Sequence, residues 1–160
     1  MQEKMIEFTG MSEEDYSRYL NYFIADYAAE IALNYNVAEG EALKRAEHEI
    51  AQSLPHGPKT PGHALLNIVD KQQQTIGYLW YRFDETAKSV FILDFYVFPT
   101  HRGKGQGKQA LAALETLLAE EGYREIKLRV AADNDRARHI YEYGGFRVTG
   151  VNMAKQIRAS

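Results

Sequence analysis

Apolar residues recur along this chain with two different periods, and the switches between them divide it into elements. Met5-Ile6-Glu7-Phe8 alternates as a short opening strand. Ser12 with Asp15 three residues on has the form of a capping box, the shorter Asp replacing the usual Glu. Tyr16, Leu20, Phe23, Tyr27 and Ile31 then share one helical face, and Asn34-Tyr35-Asn36 ends that helix. A second helix is predicted from Glu39 to Leu54, with Leu43, Ala46 and Ile50 at helical spacing. Three prolines and two glycines between Pro55 and Gly62 stop it, leaving an ordered loop or a mobile lid.

Residues 64–69, 75–83 and 89–98 read as strands of an antiparallel meander, separated by the polar turns 70–74 and 84–88. A helix follows through Ala110, Leu111, Leu114, Leu117 and Leu118 and closes at Gly122. Ile126, Leu128 and Val130 alternate with Lys127 and Arg129 in a strand over residues 125–131. Asp133-Asn134 caps a helix that runs to Tyr143 and stops at Gly144-Gly145. A last strand or hairpin is expected from Phe146 to Ile157. The order β-α-α-β-β-β-α-β-α-β describes one α/β domain over residues 1–160, a mixed sheet with helices on both faces.

Length and composition narrow the class. A chain of 160 residues can fill one core. It has no cysteine, hence no disulfide, thiolate metal site or thiol nucleophile. No apolar run of about 18 residues is present, and the first residues lack the apolar core of a signal peptide, so a soluble cytoplasmic protein is expected. The net charge of −3 conceals an asymmetry: residues 1–100 carry eight Lys/Arg against fifteen Asp/Glu, whereas residues 101–160 carry eleven against seven. The five histidines show no metal-ligand spacing, and His56 and His63, flanking the proline loop, are expected to face solvent. The basic last part has no stripe interleaved with exposed aromatics, which argues against nucleic acid.

Arg102-Gly103-Lys104-Gly105-Gln106-Gly107, followed by Lys108, sits between a strand and a helix. Glycines on alternate positions let backbone approach an anion, and the helix start adds unpaired N–H groups and the positive end of its dipole. A P-loop would need glycine at Arg102 and a hydroxyl at Gln109; a dinucleotide fingerprint would need glycine at Lys108. Both fail. Further on, Asn134, Arg138 and Tyr141 fall within about 60° on a helix, so an amide, a guanidinium and a phenol share one edge.

Val97-x-Pro99-x-x-Arg102-Gly103-x-Gly105-x-Gly107, followed by Asn134-x-x-Ala137-x-x-x-Tyr141-x-x-x-Gly145-Phe146, resembles the GNAT superfamily of acetyltransferases. The element order matches over essentially the whole chain, and the Leu54–Pro61 loop and the Asn152-Met153-x-Lys155 tail resemble small bacterial members. The resemblance implies acetyl-CoA as cosubstrate and no metal. It implies that backbone from Gly103 to Lys108 holds the pyrophosphate, with charge from Arg102, Lys104 and Lys108. Phe95, Tyr96 and Val97 would pair with pantetheine, and an N–H near Val97 would receive the thioester carbonyl. Asn134, with Ala137 and Arg138 on the same helix, would contact the pantetheine arm, and Tyr141 would lie beside the sulfur. Gln106 departs from the family's usual aliphatic residue.

Direct attack by an amine then needs a neutral nucleophile, a stabilised oxyanion and a proton for the leaving thiolate. Tyr141 suits the last need, since its pKa of about 10 lies near that of a thiol. Asp94 is the first candidate for a base or a water-orienting group, with a structural hydrogen-bond acceptor as its plainer role; Glu142 and Glu85 are weaker candidates. Alternation puts Asp94 and Tyr96 on one sheet face and Phe95 and Val97 on the other. The acidic first part favours a cationic small-molecule or peptide amine as acceptor, with nucleic acid and membrane not expected and a homodimer left open. Tyr16, Tyr19, Tyr22 and Tyr27 are expected to pack rather than to form a binding wall. A non-catalytic acyl-CoA-binding domain is the rival expectation.

Overall fold

A computed structural model describes residues 5–131, 134–155 and 157. Its elements run β1 (Ile6–Gly10), α1 (Glu13–Tyr35), α2 (Glu39–Ser53), β2 (His63–Asp70), β3 (Thr75–Asp84), β4 (Ser89–Val97), α3 (Gln106–Glu120), β5 (Glu125–Leu128) and α4 (Asp135–Tyr143). Short 3-10 turns occupy Gly57–Lys59, within the proline loop, and Pro99–His101. The order is the expected one through α4, and Asp133 lies outside the described residues. The last strand is expected over residues 146–157, of which residue 156 lies outside the described residues; residues 146–155 and 157 carry no assigned helix or strand. The chain forms two compact units, Met1–Arg129 and Val130–Ser160.

The first unit is built on a mixed five-stranded sheet in the order β1-β2-β3-β4-β5. The first four strands pair antiparallel, and β5 pairs parallel with β4. Helix α1 starts on the predicted box: Ser12 Oγ accepts from Asp15 N–H, and Asp15 Oδ2 accepts from Ser12 N–H, both at 3.0 Å. It ends at Asn36, which takes the left-handed conformation (φ 53°) that asparagine tolerates. Against α1, α2 buries Ala42 and Ala46 beside Ala28 and Ile31. Small side chains let the two helices approach, and Leu43, expected in that stripe, is exposed instead.

One sheet face packs on α1 through Met11, Tyr19, Ile50, Leu54, Leu65, Tyr78 and Trp80. Full burial of a large apolar side chain stabilises by about 1.5–3 kcal/mol, so this cluster is a principal anchor for α1. Tyr19 meets Tyr78 edge-on, and Phe23 meets Trp80 edge-on. β3 is buried from Ile76 to Tyr81, as a strand covered on both faces must be. Leu79 and Tyr81 alternate away from α1, and α3 buries Ala110, Leu111, Leu114 and Leu118. His63 is half-buried and accepts a hydrogen bond from Trp80 Nε1 at its Nδ1 (3.0 Å), which corrects the expectation that it faces solvent. Burial and the nearby Arg82 hold its pKa below the ordinary value, so it stays a neutral acceptor.

Candidate functional site

The site begins with a change of pairing halfway along β4. Ser89–Ile92 pairs with β3 on one side and with Glu125–Leu128 of β5 on the other. Trp80 then faces Asp94 while Tyr81 faces Ile92, so Leu93 is an extra residue, a bulge in the β4 strand. Beyond it β4 continues along β3, but the β5 ladder has stopped. Phe98 N–H donates to Ile76 O at 2.8 Å. Antiparallel alternation therefore has Tyr96 exchange bonds with Tyr78 and turns the N–H and C=O of Val97 away from β3. Opposite Val97 stands Gly77, where a Cβ would lie 2.1 Å from Tyr96 O. Only glycine permits β3 to come this close.

From that edge the chain passes through the 3-10 turn into the glycine run. Gly103 (φ 80°) and Gly105 (φ 77°) are both left-handed, the region that favours glycine, and no heavy atom lies within 4 Å of where either Cβ would be. Gly105 is the N-cap of α3, with no side chain capping the helix and no acidic residue in its first turn. The first backbone bond of the helix runs from Gln109 N–H to Gly105 O, so the N–H groups of Gln106 and Gly107 precede the helical ladder. Gln106 Oε1 is buried without a hydrogen-bond partner. Exposed glycine backbone, a bare helix start and the Lys104 and Lys108 side chains fit an anionic pyrophosphate. The Arg102 side chain, by contrast, turns back: its Nε donates to Val97 O at 2.8 Å, and its guanidinium carbon lies 5.0 Å over the Tyr96 ring.

On the α1 face, Asp94 accepts from Tyr19 OH at Oδ2 (2.7 Å) and from Tyr22 OH at Oδ1 (3.3 Å). Burial pushes the Asp94 pKa up to about 7, and the charge of Asp26 adds to the rise; the two tyrosines and the Phe95 N–H act in the opposite direction. Burial likewise raises both phenols, so they remain donors at neutral pH. Tyr22 stacks on Tyr96 with ring centres 4.0 Å apart. Asp94 and Tyr96 thus share the α1 face, as expected from alternation. Nearby, Asp15, Arg18, Asn67, Thr75, Tyr78 and Phe98 line a small cavity. Tyr19 and Tyr22 were expected only to pack; they do pack, and their hydroxyls also define the carboxylate's environment. Their signal in the sequence was a pair of phenols at helical spacing with no polar partner in view.

The second unit carries the other motif. Asn134 caps α4, its Oδ1 accepting from Ala137 N–H at 3.1 Å. Arg138 reaches Glu142 at 3.6 Å, and Tyr141 meets Phe146 edge-on with ring centres 5.6 Å apart. Phe146 N–H donates to Tyr141 O across the glycine stop, where Gly145 is left-handed. Glu85, the other weak candidate base, is held in the β3–β4 turn by Tyr123 OH and Lys88. No helix among the described residues is long and apolar enough to cross a membrane.

Comparison with known proteins bears on the family and the fold. The model of the acetyltransferase (GNAT) family matches residues 20–146. The Bacillus subtilis protein named uncharacterized N-acetyltransferase YycN is 34% identical over 154 residues, covering 95% of this chain and 99% of that protein. Its crystal structure superposes with a TM-score of 0.89 at 33% identity, over 96% of this chain and 99% of that one. The fold is also that of spermidine N-acetyltransferase from Vibrio cholerae, solved with CoA and spermine, at a TM-score of 0.65, 20% identity, and coverage of 92% and 84%.

Proposed function

The chain belongs to the acetyltransferase (GNAT) family, and we propose that it moves the acetyl group of acetyl-CoA to a cationic primary amine by direct attack. The observation that carries the donor half is the outward-facing backbone of Val97 running into the left-handed Gly103–Gly105 turn at the start of α3. One stretch of chain thus offers a strand edge for an amide-containing arm and a glycine cradle for its phosphates. Acetyl-CoA supplies the acetyl group as a thioester. Backbone from Gly103 to Lys108 holds the pyrophosphate, and Phe95, Tyr96 and Val97 align the arm. The Val97 N–H donates to the carbonyl oxygen as negative charge develops there. A part for Asn134, Ala137 and Arg138 in holding the arm rests on the motif alone; the Asn134 oxygen is used for the helix cap.

Asp94 serves as the base. With its pKa near 7 it is substantially ionised at neutral pH, yet basic enough to take a proton as the amine attacks. Tyr141 gives its proton to the sulfur of the leaving thiolate, a role resting on the motif that runs from Asn134 to Phe146. The negative balance of residues 1–100, with Asp26 acting on Asp94, supports a positively charged acceptor. The test is thiol release from acetyl-CoA with a panel of polyamines, aminoglycosides and peptide amines, beginning with spermidine. Turnover with a cationic amine is expected; tight CoA binding with no release on any amine contradicts it and favours a binding domain. In the active pair, Tyr141→Phe should lower kcat about tenfold or more with KM for acetyl-CoA nearly unchanged. A normal kcat would remove Tyr141 from the chemistry.

A further inference from the structure

Arg102 opens the glycine run, and its charge alone would suit a phosphate. Its side chain does something else. Nε is the guanidinium nitrogen nearest the backbone, and it donates to the carbonyl of Val97 at 2.8 Å. That carbonyl is the one alternation turns toward the open edge of β4. The bond closes the segment between residues 97 and 102, which contains the 3-10 turn, and Arg102 N–H to Pro99 O reinforces it at 3.3 Å. The last residue of the open edge is therefore tied to the first residue of the glycine turn.

The tie extends beyond the edge. The guanidinium covers the Tyr96 ring at 5.0 Å, Tyr96 stacks on Tyr22 at 4.0 Å, and Tyr22 OH donates to Asp94 Oδ1 at 3.3 Å. A cation on an aromatic face and a stacked pair of rings both favour a fixed arrangement. A carbonyl oxygen has a second lone pair, so the Val97 C=O can hold Arg102 and still accept an amide N–H from a ligand.

We propose that Arg102 is a positioning residue of the donor site, acting through Val97 and Tyr96 to join the glycine turn to the strand edge, rather than a ligand of the phosphates. The assignment rests on the acetyl-CoA reading above. Its chemistry allows a swap experiment. Glutamine carries an N–H donor at the same distance along the side chain as Arg Nε, but no charge. Lysine keeps the charge but moves the donor one atom further out and loses the planar fork.

The affinity for CoA of Arg102→Met, Arg102→Gln and Arg102→Lys is measured by calorimetry between 50 and 300 mM salt (roughly a sixfold range). The Met variant should weaken binding about tenfold, a loss of about 1.4 kcal/mol. Gln should restore most of that loss and Lys little of it, with the salt dependence of the Gln variant close to that of the parent. The reverse order, Lys restoring and Gln not, makes Arg102 a phosphate ligand and overturns the proposal. Equal loss in all three variants, or none in any, overturns it as well. In parallel, the Arg102 Nε–H is observed by NMR in the ligand-free protein. Slow exchange and a ring-current shift that Tyr96→Leu removes are expected. If that signature is present and the parent protein does not bind CoA, the donor-site reading has failed rather than the tie. If the signature is absent while CoA binds, the tie has failed.

Discussion

The two halves of β4 differ in what pairs with their edges. Ser89–Ile92 is held on both edges, by β3 and by β5. After the Leu93 bulge the strand keeps β3, loses the β5 ladder, and presents Val97 backbone outward beside a glycine turn. The first half serves stability: Val90 is 1% exposed, and Ile92 is buried. The second half is the part proposed above to meet the donor, and it has the half-buried Asp94 and Tyr96 in a polar, aromatic setting against α1. A single inserted residue separates the two halves within one strand, and on the proposed reading it leaves backbone open for a ligand.

The comparison is broken most severely at the exit of the second half. Gly105→Asp puts a side chain into the left-handed position and a negative charge at the start of α3. CoA affinity should fall by more than about a hundredfold in calorimetry, equivalent to about 2.7 kcal/mol, with the fold retained by circular dichroism. Retained affinity would overturn the cradle assignment.

Next in size is Asp94→Asn, expected to lower kcat/KM by roughly a hundredfold, in the range for loss of a general base. In the parent protein kcat/KM should rise with pH through about 7 as Asp94 ionises, and the variant should lose this limb. Stability has the opposite sign. The folded pKa lies above the ordinary value of 3.8, so the folded state binds the proton more tightly than the unfolded chain does. This contribution is fully present below about 3.8 and is lost as pH rises through about 7. Asp94→Asn should therefore flatten the thermal midpoint against pH between about 4 and 7, and an unchanged slope would deny Asp94 its raised pKa.

A smaller effect sharpens the comparison by pairing one substitution in each half. Gly77→Ala places a Cβ 2.1 Å from Tyr96 O and must push the second half of β4 outward. Val90→Ala empties a buried position in the first half. Both should cost about 1–3 kcal/mol of stability, but only Gly77→Ala should also weaken CoA binding, by about five- to tenfold. Equal affinity in the two variants would mean that the halves do not differ in function.

Much of this was legible in the sequence because it depends on local chemistry. The Ser12–Asp15 box, the alternation of β3 and β4, and the stops at Asn36 and Gly122 each act over a few residues. The shape of the glycine turn was legible for the same reason, since left-handed backbone at Gly103 and Gly105 is a property of those residues. What was not legible depends on pairing across the chain. The Leu93 bulge exists only in register with Trp80 and Tyr81. Tyr19 and Tyr22 lie more than seventy positions from the carboxylate they contact, and on their own helix they read as packing residues. The Arg102 side chain turns toward Val97 because an outward carbonyl is there to receive it, which the spacing of charges could not reveal.

Amide hydrogen exchange along β4, with and without acetyl-CoA and with no amine acceptor present, tests the division most directly. The outward N–H of Val97 should become protected by about a hundredfold or more when acetyl-CoA is added, while the amides of Val90 and Ile92 keep their rates. Protection confined to the first half, or no change at Val97 under saturating acetyl-CoA, would contradict the assignment of the open edge of β4 as the donor site.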